Sequence, residues 1–70
     1  MQRKEVKKMR VLYAYKAEHE WELTLFINDV VEVINEFADE SDHAYDGWWS
    51  GKVGAKIGLF PVSYCEELKA

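Results

Sequence analysis

Apolar positions along this chain come in short β-branched or aromatic runs separated by polar, turn-forming stretches, a pattern that predicts strands rather than helices. The clearest run is Val30-Val31-Glu32-Val33-Ile34, bounded on both sides by polar residues. A first strand is predicted over about 10–15, and a long polar excursion follows over 16–28. Residues 48–53 and 56–60 read as two more strands joined by Gly54-Ala55, a two-residue type II′ hairpin with Gly supplying the positive φ. Pro61 has no N–H and stops the pairing, and residues 65–68 form a last short strand. A helix over 18–33 is the competing reading. The β-branched cluster and the turn-forming Asn28-Asp29 argue against it. Repeats and low-complexity segments are absent from the sequence.

Five short strands are too few for a large sandwich. The economical solution is an all-β fold, a small, strongly bent barrel of two orthogonal sheets. Its predicted interior holds Val11, Leu23, Leu25, Val31, Val33 and Phe60, with Cys65 beside them.

Composition narrows the function. Seventy residues, 49% of them hydrophobic, make one small domain with a thin core. Such a core leaves little scaffold for the deep pocket an enzyme needs. No apolar run approaches the roughly 18 residues of a membrane span, and the charged first ten residues lack the apolar stretch of a signal peptide. The lone Cys65 excludes an internal disulfide and fits a reducing compartment, the cytosol by default. In its apolar stretch it reads as a small buried hydrophobe rather than a reactive thiol.

Charge is uneven. Residues 1–10 carry five Lys or Arg against one Glu, a net of +4. Residues 11–70 carry four Lys against twelve Asp or Glu, a net of −8, and the two parts make the −4 of the whole chain. The acidic part repels phosphate backbones and attracts basic partners. Residues 1–9 read as a solvated basic linker, 10–68 as the domain and 69–70 as a tail.

The aromatic residues carry the most information. Val11-Leu12-Tyr13-Ala14-Tyr15, Leu23-Thr24-Leu25 with Asn28-Asp29, the pair Trp48-Trp49, and Gly58-Leu59-Phe60-Pro61-Val62-Ser63-Tyr64 follow one another in order. Together they resemble a Src homology 3 (SH3) domain over about residues 10–68. The first run is similar to the family's ALYDY motif, and the second to the far arm of its RT loop. The third is similar to its tryptophan pair, and the fourth to its G-x-x-P-x-x-Y signature. One such motif is weak; four in order and spacing are specific. The resemblance implies a five-stranded SH3-like barrel with RT (16–28), n-Src (37–46) and distal (54–55) loops.

Some positions depart from the family's commonest pattern. Ala14 replaces an acidic residue. Asn28 replaces a common glycine and is the side chain that best tolerates a left-handed backbone. Ser63 stands where many members have asparagine, Leu59 where some have a groove tyrosine, and the n-Src loop is long.

By the same resemblance the chain is a protein–protein interaction module. Its ligand is a proline-rich segment with a flanking Arg or Lys, of the RxxPxxP or PxxPxR kind. A polyproline II helix is already extended and leaves its carbonyls unpaired, so aromatic ridges with a few donors suffice to hold it. The implied prolyl pockets lie between Tyr13 and Tyr64, and between Tyr15, Pro61 and Trp48. The Trp48 indole N–H, the Tyr64 hydroxyl and Ser63 are the implied donors. A third pocket reads charge. Glu22 is its implied arginine partner, with Glu18 and Glu20 on the same loop and Asp42 and Asp46 across the groove. For Tyr13 and Tyr15 alone, core packing competes equally with a groove role. Trp49 alternates to the opposite face. Trp21 either packs on its own loop or extends the footprint beyond the proline core. Tyr45 is ambiguous, and His19 reads as an exposed loop residue. A shallow groove of this kind binds on the order of 10 µM, roughly −7 kcal/mol.

Other classes fare worse. Enzymatic chemistry has no Ser/His/Asp grouping, phosphate-binding glycine loop or metal-ligand spacing to rest on, and His19 and His43 fall in separate loops. Neither a cofactor nor a metal is expected. Nucleic-acid binding is opposed by the −8 charge and by aromatics not interleaved with Lys or Arg. The remaining alternative is an SH3-fold module that grips a folded protein surface through its RT and n-Src loops. SH3 domains resembling this one occur in cytoplasmic adaptor, cytoskeletal, endocytic and signalling scaffolds. The expected state is a monomeric module of a multidomain chain, without membrane insertion.

Overall fold

The computed structural model describes residues 6–36 and 45–68. Five strands run in sequence: β1 (Lys8–Val11), β2 (Val30–Asn35), β3 (Trp48–Val53), β4 (Lys56–Pro61) and β5 (Cys65–Leu68). A single 3-10 turn, Val62–Tyr64, separates the last two. All pairings between these five strands are antiparallel, and one continuous ladder runs β4-β3-β2-β1-β5. A register shift between Val33 and Asn35 against β3 leaves Ile34 as an extra residue, a bulge of the kind that bends a strand and increases its twist.

The strand ends follow from local chemistry. Val53 pairs with Lys56 across Gly54-Ala55, and Gly54 has φ 58° while Ala55 stays at negative φ, the type II′ pattern. Asn28 takes φ 77°, the left-handed conformation expected of it. β4 ends at Pro61, as its missing N–H requires.

The core is Met9, Val11, Leu23, Leu25, Val31 and Phe60, with Val33, Val53, Trp49 and Cys65 packed against it. Burial pushes the Cys65 thiol up to about 11, so it is held protonated at neutral pH. Met9 is the surprise. β1 starts at Lys8, inside the stretch read as a linker, and alternates exposed Lys8 and Arg10 with buried Met9 and Val11. The density of cations hid a period-two strand. The polar face is tied down by Lys7 on Glu36 and Arg10 on Glu66.

The excursion over 16–28 folds back on the sheet. Tyr15 and Leu25 exchange backbone hydrogen bonds at its base. Its far arm lies on β4, where Leu23 N–H donates to Leu59 O and Leu59 N–H donates to Trp21 O. Gly58 permits this approach, because a Cβ there would stand 2.8 Å from the Trp21 carbonyl oxygen. The same contact fixes the loop's acidic residues beside the Trp48 end of the sheet.

Candidate functional site

Rings far apart in sequence meet on one wall. Tyr13 packs edge-on against Tyr64 at 6.3 Å, Tyr64 against Tyr15 at 5.9 Å, Tyr15 against Trp48 at 5.3 Å, and Trp48 against Tyr45 at 5.0 Å. Each pair is within 5° of perpendicular. Edge-to-face packing is the arrangement aromatic quadrupoles favour, and it leaves furrows between successive rings instead of a flat plate. Tyr64 is held there by the 3-10 turn, whose last carbonyl accepts from the Leu12 and Tyr13 N–H groups. Tyr13 and Tyr64 are exposed, while Tyr15 and Trp48 are half-buried.

The wall continues into the acidic loop. The Trp21 indole N–H donates to the Tyr45 hydroxyl at 2.6 Å. His19 stacks flat on Trp21, with centroids 4.5 Å apart. Trp21 is 53% exposed, so it both packs on its own loop and lengthens the aromatic surface. Trp49 turns to the other side, half-buried against Phe60 and beneath Lys7.

Two expectations need correction. Glu22 is not an open carboxylate waiting for an arginine: it is 3% exposed. Its Oε1 accepts from the Tyr15 hydroxyl and the Glu18 N–H, both at 2.8 Å, and its Oε2 accepts from the Tyr45 hydroxyl at 2.6 Å. Burial alone would raise its pKa. The bonds from Tyr45, Glu18 and Tyr15 outweigh burial and hold the carboxyl below its ordinary value. Tyr15 is pushed the other way, by burial and by the Glu22 carboxylate it serves. Pro61 is likewise no exposed ridge. It is buried opposite Trp48 in the β3–β4 ladder, because the end of β4 lies under the wall.

Of the remaining candidates, Glu18, Glu20, Asp46 and Ser63 are exposed. Asp42 and His43 lie outside the described residues. Sequence reasoning left Tyr45 ambiguous, yet it joins the wall to the acidic loop. Its signal is the short Tyr45-Asp46-Gly47 turn before Trp48, where Gly47 has φ 82° and accepts from Val62 N–H. Among the described residues no group of three or more His, Cys, Asp or Glu could hold a metal ion, and no helix is long and apolar enough to cross a membrane.

Comparison with known proteins agrees with this geometry. A family model described as a variant SH3 domain matches residues 11–66. The chain belongs to the SH3 family. It is 39% identical over 61 residues to mouse CD2-associated protein, covering 87% of this chain and 8% of that protein. It is 36% identical over 59 residues to human intersectin-1, covering 84% of this chain and 3% of that protein. The chain therefore spans only a small part of these relatives' length.

Solved SH3 domains superimpose closely. The second SH3 domain of yeast Bzz1 matches with a TM-score of 0.70 at 36% identity, over 84% of this chain and 98% of that one. The C-terminal SH3 domain of Entamoeba histolytica myosin IB, bound to an EhFP10(GEF) peptide, matches with a TM-score of 0.78 at 25% identity. That match covers 96% of this chain and all of the other. SH3 domains are non-catalytic protein-interaction modules, and this chain carries that architecture.

Proposed function

We propose that this SH3 domain binds proline-rich segments with a basic flank, as one module of a larger cytoplasmic adaptor or scaffold. The observation that carries the reading is the unbroken row of rings from Tyr13 through Tyr64, Tyr15 and Trp48 to Tyr45. Proline rings fill the furrows, and the Trp48 indole N–H, the Tyr64 hydroxyl and Ser63 serve the peptide carbonyls. Pro61 supports Trp48 from below. The exposed Glu18, Glu20 and Asp46 attract the flanking cation, each such pair contributing roughly 0.2–1 kcal/mol. The peptide bound to the Entamoeba relative supports a peptide as ligand. The net charge of −8 over residues 11–70 supports a basic one.

A second reading, docking of a folded protein surface through the loop, is favoured by one observation: Trp21 presents an exposed indole stacked on His19. Calorimetric titration with synthetic PxxP peptides separates the two. Trp48→Ala abolishes peptide binding in a domain that still folds by circular dichroism. Unchanged binding by that variant rules out the groove.

A further inference from the structure

Glu22 poses a problem that the groove does not solve. It is a buried carboxylate held in its charged form, and neither ion pair among the described residues, Lys7 with Glu36 or Arg10 with Glu66, includes it; His19 adds only the smallest of the favourable influences on it. Buried charges are ordinarily matched by an opposite charge. Here neutral donors stand in. Oε1 is saturated by the Tyr15 hydroxyl and the Glu18 N–H, which occupy both of its lone-pair directions. Oε2 accepts the Tyr45 hydroxyl, and that hydroxyl in turn accepts the Trp21 indole N–H.

We infer that the Tyr45 hydroxyl is a competing ligand for Glu22: it caps the carboxylate in the free domain, and an arginine flanking a proline core reaches Glu22 only by displacing it. This rests on the proline-groove reading and names the residue that sets its charge selectivity.

Three features favour exchange. The capping group is a single uncharged donor, whereas a guanidinium brings a full opposite charge and N–H groups for both lone pairs of Oε2. The groups released are not stranded, since Trp21 is 53% exposed and Tyr45 lies beside the open wall, so water serves both. The displaced ring also adjoins Trp48, so the flank enters next to the prolyl furrows. Before exchange, an incoming cation meets exposed carboxylates, Glu18 and Glu20 among the described residues. Capture is thus divided into a weak, salt-screened encounter and a short-range exchange at a buried carboxylate.

The test uses two synthetic peptides with the same PxxP core, one with a flanking arginine and one with alanine in its place. Each is titrated calorimetrically into wild type, Tyr45→Phe, Glu22→Gln and the double variant. The quantity read is the ratio of the two dissociation constants, in which effects on the groove itself cancel. Tyr45→Phe keeps the ring and removes the cap, so the preference for arginine rises about tenfold, the scale of one hydrogen bond to a charged group. In the Glu22→Gln background the same substitution leaves the ratio unchanged, because its gain acts through the carboxylate.

A second readout does not depend on variants. In wild type, the Trp21 indole N–H resonance shifts and exchanges faster with water when the arginine peptide is added, and does neither with the alanine peptide. An unchanged ratio in Tyr45→Phe, or a Trp21 indole indifferent to the arginine, overturns the role of Tyr45 while leaving the groove standing. Binding of neither peptide to wild type removes the groove reading, and the capping inference with it.

Discussion

Replacing Glu22 by alanine destabilises the domain before it affects any ligand. The carboxylate receives three hydrogen bonds, from Tyr15, Glu18 and Tyr45, at 2.6–2.8 Å. Bonds to a charged group contribute about 1.5–3 kcal/mol each when broken singly. They do not add fully, because the Glu18 N–H and the Tyr45 hydroxyl regain water once the acid is gone. Removing a buried charge that no salt bridge among the described residues matches also returns part of its desolvation cost. The expected net loss is about 2–3 kcal/mol. A domain of this size has roughly 3.5–10 kcal/mol in all, so the loss is about a fifth of its stability or more. It lowers the melting temperature by about 10–20 °C.

The assay is urea unfolding followed by tryptophan fluorescence, with the m-value checked for constancy. The pH dependence supplies the sign. Because the folded carboxyl is held below the ordinary glutamate value of 4.5, its contribution is complete above that pH. It is lost as pH falls through 4.5 and then through the folded value. Glu22→Ala therefore flattens that part of the acid limb. A loss under about 0.5 kcal/mol at pH 7, or an unaltered acid limb, would refute the hub assigned to Glu22.

Two packing predictions follow from the sheet. Gly51→Ala costs about 2 kcal/mol by overpacking, since its Cβ would stand 2.6 Å from Val31 Cγ1 and 2.8 Å from Phe60 Cε1; a melting temperature within 2 °C of wild type, on the order of 0.3 kcal/mol, would contradict the tight β2–β3–β4 contact. Met9→Ala lowers stability by about 2–4 kcal/mol in chemical denaturation, as for other buried methionines. A neutral result would return Met9 to the linker first assigned to it.

The β-branched run of β2, the Gly54-Ala55 hairpin and the stop at Pro61 were all legible, because each depends on backbone preferences of a few adjacent residues. The start of β1 was not. Its alternation is complete in Lys8-Met9-Arg10-Val11, but four residues make a weak period, and the neighbouring cations outweighed it. Tyr13, Tyr15, Trp48 and Tyr64 were legible as groove candidates through their motif. Their meeting was only implied, since nothing local says that residues 13 and 64 touch.

The one-dimensional pattern determined strand content, turn positions and an acidic domain with a basic leading edge, all consequences of local sterics and summed charge. The environment of each carboxylate was decided in three dimensions. Glu18, Glu20 and Glu22 are chemically alike along the chain, yet only Glu22 is carried under the aromatic wall when Gly58 lets the loop backbone lie on β4. There a tyrosine 23 positions away closes over it. Burial and hydrogen-bond partners are properties of the packed fold, and they alone separate the acid that ties this loop to the wall from the acids that stay exposed to solvent.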